Sequence, residues 1–118
     1  STTALALKKP FKVDVLRDRA SLVEQTDDGL LQNRYNLRLI NTTEQTQRYS
    51  LAVEGLPGIR LDQPDQIIAV KPAQTETVAV RVQADPEHAG RGAHPIHFVI
   101  RSLGDDVTIK EKSSFIGE

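Results

Sequence analysis

The sequence predicts an all-β fold in which two antiparallel sheets stack on each other. Apolar residues recur at every second position in most segments, and Val and Thr dominate the most regular of them. Clusters of Gly, Pro, Asn and Asp separate these segments. Strands with one apolar and one polar face are typical of antiparallel sheets that bury a single side. Their spacing of roughly 8–15 residues is that of a β-sandwich.

Each strand follows from this alternation and from the turn signals at its ends. Tyr35, Leu37 and Leu39 alternate with more polar neighbours, and Val78, Val80 and Val82 do the same. The predicted strands, about seven, are 11–16, 33–42, 47–55, 59–62 with 66–70, 75–83, 95–103 and 107–116. A weak helix is predicted at 18–26, where Asp18 could cap the first turn.

The absence of Cys and Trp defines the kind of sandwich. Antibody-type domains are built around a Cys…Trp…Cys core, which this chain lacks. We therefore predict an immunoglobulin-like β-sandwich without a disulfide, whose core rests on Leu, Val, Ile, Phe11, Phe98 and Phe115. Without Cys the chain also lacks thiol nucleophiles, iron–sulfur ligands and cysteine zinc sites.

Length and charge predict a single domain with no nucleic-acid partner. The chain has 118 residues, and we expect 1–10 to be a linker or an added tail and 11–118 to be the domain. It carries 15 basic and 16 acidic residues without a basic block. No apolar run approaches the ~20 residues of a membrane helix. Because residue 1 is not Met, we expect a processed product or a piece of a longer protein, whose anchor would lie outside this sequence.

Three histidines are the candidate metal ligands, His88, His94 and His97. On a strand, His94 and His97 point to opposite faces, so they cannot easily share an ion. Pro95 makes the start of that strand irregular, and His88 lies in a nearby loop, so a copper site stays open as an alternative to solvated histidines.

Other polar motifs fit turns better than sites. The stretch Asp27-Asp28-Gly29 lacks the spacing of a calcium loop. Asn41-Thr42-Thr43 matches an N-glycosylation sequon, although a bend after a strand explains it as well. Arg17-Asp18-Arg19 follows the first predicted strand and is either a local brace or a patch for a partner.

The order of residues in 13–41 resembles one known family. The chain reads Val13-Asp14-Val15-Leu16-Arg17-Asp18-Arg19, then Asp28-Gly29, then Asn33-Arg34-Tyr35-Asn36-Leu37, then Ile40-Asn41. This is similar to the C-terminal domain of the FixG/CcoG family, accessory proteins of cbb3-type cytochrome c oxidase. The resemblance is strong over 13–41 and looser over 42–116.

The resemblance implies a parent protein in the inner membrane with this domain on the periplasmic side. Two [4Fe–4S] clusters are expected in the N-terminal part of the parent and no cofactor in this domain. The parent is expected to act in oxidase assembly, through copper handling, with oxidase subunits or assembly factors as partners. No catalytic residue is carried over. The resemblance implies an interaction or structural role for five signature positions. They are Arg17, Asp18, Arg19, Asn33 and Tyr35.

Three functions are weighed on this basis. The first is a non-catalytic interaction module, and the second is a copper-binding domain that uses His88, His94 and His97. The third is a carbohydrate-binding sandwich. With two Tyr, no Trp and three Phe needed for the core, little aromatic surface is left to stack on sugar rings.

Overall fold

Nine β-strands make up the part of the chain that the computed structural model describes, residues 9–17 and 23–117. No helix occurs in these two ranges, so none there could cross a membrane. The strands are β1 Phe11–Arg17, β2 Glu24–Gln25, β3 Leu31–Asn41, β4 Gln47–Glu54, β5 Arg60–Leu61, β6 Ile67–Val70, β7 Thr75–Ala84, β8 Gly92–Ser102 and β9 Val107–Gly117.

The strands form two antiparallel sheets. Sheet A has the order β1-β3-β7-β5, with the short β2 also paired to β3. Sheet B has the order β6-β4-β8-β9. The two sheets pack face to face, which confirms the predicted immunoglobulin-like sandwich without a disulfide.

Alternation along the strands places the core between the sheets. In β3 the odd-numbered residues from Leu31 to Asn41 are all buried, because they face sheet B. The three predicted phenylalanines are buried and are joined by Tyr35 and Tyr49. The Phe11 and Tyr49 rings lie 4.8 Å apart, and the Tyr35 and Phe98 rings meet edge to face at 5.0 Å. All five aromatic side chains are thus in the interior, which leaves none for stacking on a sugar.

The structure differs from the predicted strands in three places. The segment 59–62 with 66–70 is two strands in different sheets, because β5 pairs with β7 whereas β6 pairs with β4. Strand β8 begins at Gly92, before the predicted start at 95. The predicted helix 18–26 is wrong where it can be seen, since Glu24–Gln25 pairs with β3; its first five residues, 18–22, lie outside the described ranges.

Candidate functional site

Asn33 and Tyr35 join the two sheets through the interior. Both side chains are buried on the inner face of β3, in sheet A. The Asn33 amide donates through Nδ2 to Ile116 O at 3.1 Å, and its Oδ1 accepts from Ile116 N at 2.8 Å. The Tyr35 hydroxyl donates to Ser114 O at 2.7 Å. We call these contacts the Asn33 clasp. It binds the last residues of β9, the edge strand of sheet B, to the second strand of sheet A.

Asn41 makes a second connection at the other end of β3. Its Nδ2 lies within hydrogen-bonding distance of three carbonyl oxygens, those of Gln45 at 2.8 Å, Val70 at 3.0 Å and Lys71 at 3.2 Å. Its Oδ1 accepts from Thr43 N at 2.9 Å. Val70 ends β6, which is the opposite edge strand of sheet B. We call these contacts the Asn41 clasp.

The two clasps have a common physical cause. A buried amide must satisfy both its donor and its acceptor, and free backbone groups at the edge of a sheet supply suitable partners. Asn33 and Asn41 are eight residues apart on one strand, so both face inward about 27 Å from each other. The fully buried Asn41 amide is occupied by these bonds, so the Asn41-Thr42-Thr43 sequon is a bend and not an accessible glycan acceptor.

Comparison with known proteins identifies the family. The model of the family described as "IG-like fold at C-terminal of FixG, putative oxidoreductase" matches residues 1–118. The chain belongs to the FixG C-terminal domain family. A crystal structure of a FixG-related protein from Vibrio parahaemolyticus is 30% identical, with a TM-score of 0.79 over 94% of this chain and 99% of that one. No curated protein sequence matches.

A second solved structure shares the fold alone. It is the cupredoxin domain of amoB from Nitrosocaldus yellowstonii, 11% identical, with a TM-score of 0.55. The match covers 74% of this chain and 56% of that one. At this identity it indicates only that both are β-sandwiches, and nothing about metal binding passes from it to the FixG C-terminal domain.

The arginine signature of the FixG C-terminal domain begins at the end of β1. Arg17 is the last residue of that strand, and its backbone pairs opposite Tyr35. Asp18 and Arg19 lie outside the described residues. The first strand therefore does run against β3 over Phe11–Arg17, while the bracing or docking role of the triplet stays a prediction.

The three histidines are not brought together into a ligand set. His88 is exposed in the turn after β7, and His94 Nε2 lies 2.6 Å from Gly90 O. His94 and His97 alternate across β8, so their side chains lie on opposite faces of sheet B. No group of three or more His, Cys, Asp or Glu in 9–17 and 23–117 has the geometry of a metal site. The copper alternative gains no geometric support, and titration with Cu(I) and Cu(II) is its test.

A polar network on the outer face of sheet A was missed by the sequence reasoning. Arg34 donates to both carboxylate oxygens of Glu24, at 2.8 and 3.1 Å. Gln32 also donates to Glu24, and Gln83 donates in turn to Gln32. The Arg34 hydrogen bonds, followed by the one from Gln32, hold the pKa of Glu24 below its ordinary value. Glu24 was not recognisable because the two-residue β2 has no alternation of its own.

A groove of about 240 Å³ lies beside this network, between β3, β7 and the segment after β5. Arg34 and Arg81 face each other across the strand pair, which brings like charges together. Each has a carboxylate, Glu24 at 2.8 Å and Asp62 at 3.5 Å. Since the charges at the groove are balanced from within the domain, it does not favour a charged ligand of either sign.

Proposed function

We propose that the chain is a non-catalytic interaction module of a membrane-bound iron–sulfur protein that serves the assembly of cbb3-type cytochrome c oxidase. The domain would lie on the periplasmic side, and copper handling would belong to the parent. Membership of the FixG C-terminal domain family and the resemblance to FixG/CcoG proteins support this proposal. Oxidase subunits or assembly factors are the partners that it implies.

One observation carries the proposal. The polar signature residues Asn33, Tyr35 and Asn41 point into the sandwich and are used to join its sheets. Such residues cannot also bind a substrate, because their donors and acceptors are engaged and withdrawn from solvent. Recognition would then fall to the outer surfaces of a rigid scaffold, as in many sandwich domains.

Deletion of 11–118 from the parent protein tests the assembly role. We expect the amount of assembled oxidase to fall while the iron–sulfur absorbance of the parent is retained, because the domain has no Cys to ligate a cluster. Asn36→Ala, on the outer face of β3, serves as the full-length control. Normal oxidase levels after the deletion would refute the proposal.

The periplasmic location has its own test. Thr46→Cys in the full-length parent places one exposed thiol in a domain that has no native Cys. We expect this thiol to react with a membrane-impermeant maleimide in spheroplasts, above the labelling of the unsubstituted parent. Leu37→Cys, which is fully buried, is the matched position that stays unlabelled until the protein unfolds. Labelling of Thr46→Cys only after lysis would place the domain in the cytoplasm instead.

A further inference from the structure

The outer face of sheet B has a small-side-chain centre that no part of the described chain covers. Strand alternation places Ser50 and Ala52 of β4 on this face, and Val99 of β8 pairs directly opposite Ala52. Ile67 of β6 pairs opposite Ser50 and is 48% exposed. We call this surface, with the charged residues described next, the sheet B face. Its centre consists of small and mostly apolar side chains, which suits contact with another protein surface.

Basic residues surround that centre. Strands β4, β8 and β9 carry four basic side chains in outward positions, Arg48, Arg101, Lys110 and Lys112. The same strands carry one outward carboxylate, that of Glu54. Glu54 pairs with Lys110 at 3.2 Å, and Asp106 in the following hairpin pairs with Arg101 at 2.6 Å. Arg48 and Lys112 have no ion pair within 9–17 and 23–117.

The outer face of sheet A distributes its basic residues differently. Arg34, Arg38 and Arg81 each have a carboxylate at 4.0 Å or less. Its other two outward basic residues, Lys12 on β1 and Arg60 on β5, lie on the two opposite edge strands of the sheet. Since the whole chain has a net charge of −1, the positive excess on sheet B is a local feature and not a consequence of composition. A positive potential of this kind attracts and orients an acidic partner.

We propose that the sheet B face docks an acidic surface of a partner protein, with Ala52 and Val99 at the centre of the contact and Arg48 and Lys112 steering its approach. The inference rests on the interaction function proposed above and names its surface. A second copy of this chain does not fit, because two such faces repel each other. A lipid surface fits less well, since the exposed large apolar residues at this sheet are few, Ile67 on β6 and Leu103 in the hairpin between β8 and β9.

The experiment uses the full-length parent in cells and reads the amount of assembled oxidase. One variant carries Arg48→Glu, Ala52→Arg and Lys112→Glu on sheet B. Its control carries Lys12→Glu and Ala79→Arg on sheet A, where both residues are exposed outward positions. The deletion of 11–118 is the third arm. Thermal midpoints of the isolated chains confirm that both variants fold.

We expect the sheet B variant to lower assembled oxidase about as far as the deletion does, several-fold, while the sheet A control stays near wild type. Arg48→Lys with Lys112→Arg keeps the charge and should retain wild-type levels. If the deletion lowers the oxidase but the sheet B variant does not, the inference fails and the proposed function stands. If the deletion has no effect, the proposed function fails.

Vesicles that contain phosphatidylglycerol separate a protein partner from a membrane. We expect the wild-type chain not to sediment with them at physiological salt. Sedimentation that Arg48→Glu with Lys112→Glu abolishes would overturn the inference, because the face would then recognise an anionic lipid surface.

Discussion

Asn33 offers Ile116 the same donor and acceptor that a neighbouring strand would offer. Its amide replaces one step of a β-ladder between two strands that belong to different sheets. A buried donor or acceptor that loses its partner destabilises the folded state. The effect of removing Asn33 is therefore set mainly by the unpaired N–H and C=O groups that remain on Ile116.

Asn33→Ala should destabilise the domain by about 1–3 kcal/mol, because Ile116 N and O then lose their partners in a poorly hydrated place. Urea unfolding measures the change. Asn36→Ala on the outer face of the same strand is the control and should shift the free energy of unfolding by less than about 0.5 kcal/mol. Equal effects of the two substitutions would contradict the clasp.

The two tyrosines provide a matched pair for the same substitution. Tyr35 donates to Ser114 O, whereas the buried Tyr49 hydroxyl has no hydrogen-bond partner among residues 9–17 and 23–117. Tyr35→Phe should cost about 1 kcal/mol, and Tyr49→Phe should leave stability unchanged or raise it by up to about 1 kcal/mol. Thermal and urea unfolding of both variants measure whether each substitution lowers or raises the free energy of unfolding.

Tyr49 also bears on alkaline stability. Burial, and secondarily the Asp105 carboxylate, raise the pKa of Tyr49 above its ordinary value of 10.0. A raised pKa gives stability that is complete below pH 10 and is lost as the pH rises through the folded-state pKa. Tyr49→Phe removes the ionisable hydroxyl and with it this loss of stability. Above about pH 10 the free energy of unfolding of the variant should therefore rise relative to that of the wild type.

The Glu24 carboxylate should make the stability of the domain depend on pH in the acidic range. Its pKa is lowered from the ordinary value of 4.5, chiefly by the hydrogen bonds from Arg34. A lowered pKa gives stability that is present above pH 4.5 and is lost as the pH falls through the folded-state pKa. Glu24→Gln should therefore be less stable than wild type at pH 7 and indistinguishable from it at low pH. Glu44→Gln, in an exposed turn, is the control, and a difference that persists in acid would refute the assignment.

At the scale of elements, the end of β9 depends on a close approach of backbones. A Cβ at Gly117 would collide with the carbonyl oxygens of Ala89 and Gly90, in the turn between β7 and β8. These atoms belong to the backbone, so they cannot move aside as a flexible side chain would. The turn and the strand end therefore fit only when residue 117 has no side chain.

Gly117→Ala should destabilise the domain by about 3 kcal/mol through this overpacking. Gly90→Ala lies in the same turn, has open space around the added Cβ, and should change stability by less than about 0.5 kcal/mol. Denaturant unfolding of the two variants measures the contrast. A tolerated Ala at 117 would show that the turn can shift outward.

At the scale of the whole molecule, β3 organises the sandwich. It pairs with β1 and β7 in its own sheet, and its two clasps hold both edge strands of sheet B, β9 at one end and β6 at the other. A domain without a disulfide thus obtains cross-links between its sheets from buried amide groups and aromatic packing.

Removal of residues 114–118 should test this organisation. The truncation deletes the partners of Asn33 and Tyr35 together with the buried Phe115, so we expect loss of cooperative unfolding and not a small shift of the midpoint. Amide hydrogen exchange should show lost protection in both sheets. Loss confined to β8 and β9 would contradict the role of β3.

The alternation of apolar residues by itself determined the strands, their inward faces and the sandwich. Successive side chains of a strand point to opposite faces of the sheet, whichever strand lies beside it. The buried phenylalanines, and the order of signature residues that resembles one family, were also readable from the chain. Local periodicity carries no information about which strands pair. It could therefore neither divide 59–70 between two sheets nor find the two-residue β2.

Only the tertiary structure decided what the signature residues do. Asn33 and Ile116 are separated by 83 positions, and Asn41 and Val70 by 29, so their contacts arise only when both sheets are assembled. The same holds for the sheet B face, whose basic residues come from three strands of which none is a basic block. Charges and amides act over a few ångströms of space, and the fold sets those distances.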